Sequence, residues 1–242
     1  MSLSGRVALV TGAGTRVGQA IAQRLGAEGM RVAVHYAGSK AGADATVAHI
    51  IAAGGEASAF QADLTKPEQI EPLVRAVERH FGALDLLVNS AASMTRTPFG
   101  EVTAADFDAI VALNLRAPML LAQAAASLLE RNDGAVINIG DHMASEPWRG
   151  YLPHGVAKAA VEALTRHLAS AMAPHVRVNC VVPGAVLAPD GWGAPHQAAF
   201  AKETPLKRLG SPDDVIGAIL YLAQAPYVTG ETLRVDGGRH VR

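Results

Sequence analysis

Aromatic residues are scarce in this sequence: Phe, Trp and Tyr make up 5% of its 242 residues, although 50% are hydrophobic. The core must therefore be built from Ala, Val, Leu and Ile, a composition that suits parallel strands under Ala-rich helices. Cysteine is nearly absent, because Cys180 is the single one. No disulfide within the chain is possible, and we interpret Cys180 as a buried structural thiol in a reducing cytoplasm.

An excess of charge and a long apolar run are missing as well. The 21 basic and 22 acidic residues leave a formal net charge of −1 without a basic block, which argues against nucleic acid as the partner. No cationic lead precedes an apolar block at the N-terminus, so we expect no signal peptide. We also expect no segment of membrane-spanning length, and no spacing of His, Cys, Asp and Glu is typical of a metal site.

The first strong pattern is an apolar run, a glycine-rich turn and a helix. Val7–Val10 predicts a strand buried on both faces, and Gly12, Gly14 and Gly18 mark the turn before apolar residues recur at helical spacing. This order places backbone N–H groups and a helix N-terminus around an anion, usually a dinucleotide pyrophosphate. The spacing meets the Gly-x-Gly-x-x-Gly fingerprint only in part, and the alternative is an ordinary strand-to-helix loop.

The alternation of apolar run, loop and helix continues to the C-terminus. It predicts strands at 7–10, 31–36, 57–61, 84–88, 135–139, 176–182 and 232–235. It also predicts Ala-rich helices over 113–129 and 155–173, and a helix capped by Thr103. These elements indicate an α/β fold, a single-domain Rossmann-type doubly wound parallel sheet of about seven strands flanked by helices, spanning 1–242. The predicted site lies beyond the carboxyl ends of the strands, in loops that begin at Thr11, Tyr36, Ala62, Asn89, Gly140 and Pro183.

The end of the second strand indicates which dinucleotide is bound. It continues as His35-Tyr36-Ala37-Gly38-Ser39-Lys40, without the acid that usually accepts from the ribose hydroxyls of NAD. Arg16, Ser39 and Lys40 are donors that suit a phosphate on that ribose, so NADP(H) is the predicted cofactor. The alternative is that Arg16 and Lys40 are solvated surface charges. Asp63 suits the adenine amino group, or it is a helix cap.

Taken together, the motifs resemble the short-chain dehydrogenase/reductase family over essentially the whole chain. The resemblance is carried by Thr11-Gly12-Ala-Gly14-Thr-Arg-Val-Gly18, Asp63-Leu64, Asn114, Pro183-Gly184 and Val235-Asp-Gly-Gly238. Within the family the pteridine reductases are the most similar. They share Arg16 in place of a glycine, the His35, Tyr36 and Ser39 set, and Asp141 where most members have the catalytic Ser. Met94 stands where pteridine reductases place an aromatic ring.

The resemblance implies a set of site residues. The implied cofactor contacts are Gly12, Gly14, Thr15, Arg16, Val17, Gly18, His35, Tyr36, Ser39, Asp63, Leu64, Asn89, Ser90, Ala91, Ile139, Lys158, Pro183, Gly184 and Val186. The implied substrate contacts are Met94, Trp148, Tyr151 and Trp192, with a lid around 185–205; Trp192 is equally well a loop anchor. His142 is interpreted as a surface or outer residue rather than a base. The Ala-rich helices imply a homotetramer.

One position departs from the family. Its Tyr-x-x-x-Lys motif is matched by His154-Gly-Val-Ala-Lys158, and Tyr151 is too early, with Pro153 between. The resemblance then implies that His154 and Asp141 handle the proton, Lys158 holds the ribose and Asn114 supports a water relay. An imidazole has a pKa of about 6.5, which a nearby ammonium lowers and a nearby carboxylate raises.

Two functions follow from this departure. The first is an NADPH-dependent oxidoreductase that reduces a C=O or C=N group of a small molecule. The second is an NADP(H)-binding protein with weak or no turnover, because the tyrosine is missing. A non-redox member is disfavoured, since the glycine motif is kept.

Overall fold

The computed structural model describes residues 2–187 and 193–241. A seven-stranded sheet with parallel neighbours runs in the order β3-β2-β1-β4-β5-β6-β7. The strands are β1 Val7–Val10, β2 Arg31–Tyr36, β3 Glu56–Gln61, β4 Leu86–Asn89, β5 Ala135–Ile139, β6 Arg177–Pro183 and β7 Thr232–Val235. The predicted fold class is confirmed.

Helices connect and cover the strands. They are α1 Arg16–Ala27, α2 Lys40–Ala52, α3 Ile70–Phe81, α4 Ala104–Val111, α5 Ala117–Glu130, α6 Leu152–Met172, α7 Ala194–Glu203 and α8 Pro212–Gln224. Helix α6 starts three residues earlier than predicted, because Pro153 falls in its first turn, where no backbone hydrogen bond is lost. The pattern did not predict α7 or α8, although Ser211 and Asp214 form a capping box at the start of α8.

The first strand shows how both sheet faces are covered. Ala8 and Val10 pack into the cluster under α1, α2 and α8, while Val7 and Leu9 pack into the cluster under α3, α5 and α6. All four residues of β1 are fully buried. This two-sided burial explains why β1 has a continuous apolar run rather than alternating polar residues.

The predicted crevice lies where the strand order reverses, between β1 and β4. Helices leave these two strands on opposite sides, so the loops after them separate at the carboxyl edge. Thr11 holds the base of the crevice together: its hydroxyl oxygen accepts from the N–H groups of Ser90 at 2.9 Å and Ala91 at 3.0 Å.

The longest apolar helical stretch corrects one expectation. Ala104–Glu130 is 27 residues long and, by length and composition alone, apolar enough to cross a membrane, with 44% of its apolar window buried inside the protein. The prediction that no segment reaches this length is therefore wrong. The pattern divided the stretch into two helices, whereas a π-type turn at Ala112–Arg116 joins them. Leu121 and Leu128 on this stretch pack into the core beside the sheet.

Candidate functional site

A cleft of about 870 Å³ runs along the carboxyl ends of the strands. Apart from Asn89, the predicted cofactor residues line it: Gly12, Gly14, Thr15, Arg16, Val17, Gly18, His35, Tyr36, Ser39, Asp63, Leu64, Ser90, Ala91, Ile139, Lys158, Pro183, Gly184 and Val186. Asp141, His154, Met94, Trp148 and Tyr151 line it as well. The fourth predicted substrate contact, Trp192, lies outside the described residues.

The glycine turn closes through contacts that leave no room for side chains. Gly12 has a φ of +68°, and a Cβ there would lie 2.9 Å from the Cα of Ala91. A Cβ on Gly18 would lie 2.3 Å from the carbonyl oxygen of Gly12. Helix α1 begins at this turn without an acidic residue in its first turn, and Thr15 makes no side-chain cap. The turn is therefore a cradle for an anion at a helix N-terminus.

His35 supports the turn from beneath. Its Nδ1 accepts from the N–H of Gly12 at 3.1 Å, and its Nε2 lies 3.0 Å from the carbonyl oxygen of Ala62, to which it donates. Burial lowers the pKa of His35 to about 4, against the opposing bond to Ala62. The ring is neutral at pH 7, and both nitrogens are used within the protein rather than offered to a ligand.

The side chains predicted to select the cofactor have different surroundings. Arg16 has a φ of 52° in the turn and donates to the carbonyl oxygen of Leu187 at 3.4 Å, after β6. Lys40 pairs with Asp44 one turn along α2, at 2.6 Å, and both are exposed. Asp63 accepts from the backbone N–H of Thr65 at 3.0 Å, so its carboxylate stabilises its own turn as well as lining the cleft.

The side chain of Asn89 is turned away from the cleft, and its contact with the cofactor stays a prediction. Its side-chain amide donates to Asn138 at 2.8 Å, and the amide of Asn138 donates to the hydroxyl of Thr165 at 2.9 Å. All three residues are buried. This chain of hydrogen bonds ties β4 to β5 and α6 behind the cleft, because an amide buried among strands needs partners there.

The predicted catalytic residues are brought together by β5 and α6. Asp141 follows β5 and caps the 3₁₀ turn His142–Ala144 by accepting from the N–H of Met143 at 2.8 Å. His154 and Lys158 lie one turn apart on α6, and both are buried. The Nε2 of His154 lies 3.4 Å from the Oδ2 of Asp141, without the alignment of a hydrogen bond. The Lys158 ammonium donates to the carbonyl oxygen of Ile139 at 2.7 Å.

Asn114 lies behind His154 rather than in the cleft. Its Oδ1 accepts from the N–H of Ser93 at 2.8 Å, and its Nδ2 donates to the carbonyl oxygen of Ser93 at 2.8 Å. The same carbonyl lies 3.0 Å from the Nδ1 of His154, and the Nδ2 of Asn114 lies 3.2 Å from it. The π-type turn Ala112–Arg116 therefore aims Asn114 at the loop after β4, where it holds Ser93 against the imidazole.

Burial and charge act in opposite directions on the ionisable groups of this cluster. Burial raises the pKa of Asp141, but the rings of His154 and His142 and the N–H of Met143 outweigh it and hold that pKa below its usual value. Burial lowers the pKa of the Lys158 ammonium, against the opposing charge of Asp141. Burial raises the pKa of Cys180 to about 12, which confirms it as a buried thiol.

A group of rings forms the wall of the cleft beyond Asp141. The ring of Trp148 meets those of His142, Phe200 and Tyr151 edge to face, with centroid distances of 5.2, 5.9 and 6.4 Å. His142 is only 7% exposed, and its Nδ1 lies 3.3 Å from the Oδ1 of Asp141. Of the two positions that the sequence allowed for His142, the surface is excluded because the ring packing encloses it, and the residue lies behind Asp141.

The ring wall is fastened by a residue that sequence reasoning missed. The buried guanidinium of Arg239 donates twice to the carboxylate of Glu146, at 2.6 Å each, and lies 3.8 Å from the ring centre of Phe200. Arg239 follows β7, Glu146 follows the Asp141 turn and Phe200 is on α7. No local motif marks this contact, since Glu146 and Arg239 are 93 positions apart.

Comparisons with known proteins cover nearly the whole chain. A family model described as enoyl-(acyl carrier protein) reductase matches residues 12–240. An uncharacterized oxidoreductase of Methylorubrum extorquens is 39% identical over 98% of each chain. A 3-oxoacyl-[acyl-carrier-protein] reductase of Synechocystis is 38% identical, also over 98% of each.

Solved structures of the same kind superpose closely. A dehydrogenase/reductase from Sinorhizobium meliloti has a TM-score of 0.92 and 38% identity, covering 98% of this chain and 97% of its own. A blue fluorescent protein from a metagenomic library, in complex with NADPH, has a TM-score of 0.91 and 34% identity over 99% of each chain. The similarity therefore extends over both the glycine turn and the Asp141 cluster.

Proposed function

Because this chain belongs to the short-chain dehydrogenase/reductase family of oxidoreductases, we propose that it is an NADPH-dependent reductase of a C=O or C=N group in a small molecule. One observation carries the proposal. A single cleft joins an anion-binding glycine turn to a cluster of Asp141, His154 and Lys158. The resemblance to pteridine reductases at Arg16 and Asp141 is part of the proposal.

The residues of the turn fit NADP(H). The close approaches at Gly12 and Gly18 keep a cradle that any side chain would fill, and α1 begins there. Arg16 and Ser39 line the cleft in the loops after β1 and β2, and no described carboxylate of these two loops lines it with them. Donors without an acid favour a ribose phosphate over a free hydroxyl, and a structural relative binds NADPH. When bound, NADPH supplies the hydride.

Lys158 and His154 have separate tasks in this proposal. An ammonium has three donors, and Lys158 uses one on Ile139, so the others are available to ribose hydroxyls. His154 stands where the family has its catalytic tyrosine. The carbonyl oxygen of Ser93 lies 3.0 Å from its Nδ1, and the carboxylate of Asp141 lies 3.4 Å from its Nε2. Asp141, the more exposed of the two, then transfers a proton between His154 and the cleft.

The assembly and lid are further parts of the proposal. We propose a cytoplasmic homotetramer, with α7 as part of a substrate lid around 185–205. Exposed apolar side chains on the helices of the predicted interface support the assembly: Met119 on α5, and Leu152 and Val156 on α6. Sedimentation of the purified protein tests this part, and a monomer at micromolar concentration contradicts it.

The function is tested by cofactor binding and single-turnover oxidation. We expect NADPH to bind at least tenfold more tightly than NADH, and enzyme-bound NADPH to be oxidised by members of a panel of ketones, aldehydes and cyclic imines. A double variant, Asp141→Ala with His154→Ala, provides the background rate. Tight NADPH binding without oxidation above that background supports the alternative of a binding protein, which the absence of a tyrosine at position 154 favours.

A further inference from the structure

We propose that the group reduced is a C=N bond in its cationic iminium form, and that Asp141 with the rings of Trp148 and Tyr151 binds the positive charge. This inference rests on the proposed NADPH-dependent reduction and narrows its substrate class.

The substrate end carries one negative charge within its described lining. Of Met94, Asp141, Met143, Trp148 and Tyr151, Asp141 is the charged residue, and its side chain is 25% exposed. The ammonium of Lys158 is buried and donates to the carbonyl oxygen of Ile139, and its other donors are the ones assigned above to the ribose. A cationic substrate at this end therefore meets the carboxylate of Asp141.

The rings strengthen this preference. Trp148 and Tyr151 are partly exposed, line the same cleft and lie 6.4 Å apart, centre to centre. The faces of aromatic rings attract cations, most strongly for Trp, and the attraction grows where water is excluded. Asp141 joins this wall through His142, which lies 3.3 Å from its carboxylate and packs against Trp148. A carboxylate and two aromatic rings that line one cleft together suit an organic cation.

Reduction of a ketone demands a proton, and the relay from the enclosed His154 through Asp141 is an obstacle to its delivery. The pKa of Asp141 is held below its usual value, so its carboxyl is ionised at pH 7. Lys158 is engaged with Ile139. The His154 ring is 3% exposed, and its Nε2 is enclosed beside Asp141 rather than open to the cleft. A substrate that needs no proton during the hydride step avoids this obstacle.

An iminium is such a substrate. Hydride adds to its carbon, the π electron pair of the C=N bond becomes the lone pair on nitrogen, and NADPH is oxidised to NADP⁺. The iminium is reduced to a neutral amine, and no proton is transferred. The positive charge moves from substrate to cofactor, so one carboxylate faces one cation before and after the step.

A permanently charged substrate and a neutral ketone of the same size test this inference. The probes are N-methyl-3,4-dihydroisoquinolinium and 1-tetralone, each with NADPH. We expect kcat/KM for the iminium to exceed that for the ketone by at least 100-fold after division by each probe's uncatalysed rate with NADPH. A normalised preference for tetralone overturns the inference and leaves the reductase function standing. If neither probe and no member of the wider panel oxidises NADPH, the reductase function itself is overturned.

Charge recognition has a readout that does not depend on turnover. The probe is N,N-dimethyl-tetrahydroisoquinolinium, which has no C=N bond to reduce, titrated by calorimetry into the protein saturated with NADP⁺. Asp141→Asn keeps the acceptor for Met143 and removes the charge, and we expect it to weaken binding at least tenfold. Trp148→Leu should weaken it about threefold to tenfold, and Trp148→Phe less. Equal binding to the protein and to Asp141→Asn overturns the inference.

Discussion

The two ends of the cleft are built in different ways. At the cofactor end, backbone N–H groups make the contacts that hold the loops together: that of Gly12 donates to His35, and those of Ser90 and Ala91 donate to Thr11. At the substrate end, contacts between side chains hold the loops together: Arg239 donates to Glu146, and Trp148 packs against its neighbouring rings.

This difference teaches where the chain tolerates change. Backbone contacts at the cofactor end depend on the absence of side chains, as at Gly18, so nearly any substitution there is excluded by contact with fixed atoms. Side-chain contacts at the substrate end depend on the identity of a few residues. A change there alters the reaction while the sheet and the turn remain, which is how one fold supports different chemistry.

The largest effect is expected from restoring a phenol at position 154, which should change the chemistry of the substrate end but not the cofactor end. His154→Tyr places a proton donor one helical turn from Lys158, and we expect reduction of 1-tetralone to rise on the order of 100-fold. The NADPH dissociation constant should stay within about twofold, because the turn is untouched. Steady-state kinetics and fluorescence titration measure both. The N-methyl iminium, which needs no proton, should show no such gain; an equal gain for both probes contradicts the division of roles.

Breaking the ion pair of the ring wall tests whether the substrate end is held by its side chains. Arg239→Gln removes both guanidinium donors from the partly buried carboxylate of Glu146, and we expect the free energy of unfolding to fall by about 3 kcal/mol. The matched control is Arg131→Gln, which removes a pair with Glu78 in which both side chains are largely exposed, and should cost less than about 1 kcal/mol. Urea unfolding compares the two, and equal losses argue against a fastening role for Arg239.

The cofactor end is expected to weaken with acid. In the unfolded chain His35 becomes protonated as the pH falls below about 6.5, whereas in the folded protein it becomes protonated only near pH 4. The stability that neutral His35 contributes is therefore present above pH 6.5 and lost between there and pH 4, by about 3 kcal/mol at most. Urea unfolding across this window measures the slope, and His35→Asn should flatten it. His175→Asn, at an exposed site, is the control and should leave it unchanged.

The smallest effect concerns Arg16. Glycine adopts its φ of 52° without strain but has more freedom when unfolded, so Arg16→Gly should change the free energy of unfolding by less than about 1 kcal/mol. The loss of the donor should weaken NADPH binding about tenfold and leave NADH binding unchanged. Calorimetric titration with both dinucleotides measures this. If the binding of NADPH and that of NADH weaken alike, Arg16 supports the turn instead of selecting the phosphate.

Local pattern was enough to place the elements that carry the site. Runs rich in apolar residues defined β1, β2, β5 and β7 at their observed bounds. In β1 the run is continuous, because both faces of that strand are buried. Spacing alone put His154 and Lys158 on one face of α6. Helix α7 escaped prediction, since no polar residue at its start makes a side-chain cap.

What the sequence determined by itself is the order of strands and helices, the glycine turn and the set of residues at the carboxyl edge, all of which depend on near neighbours in the chain. Only the tertiary structure decided that Asn89 and Asn114 turn away from the cleft, that His142 is enclosed, and that Arg239 reaches Glu146. The physical reason is that a side chain's direction depends on which buried polar groups lack partners once distant segments have packed together. Periodicity along the chain carries no information about those distant segments.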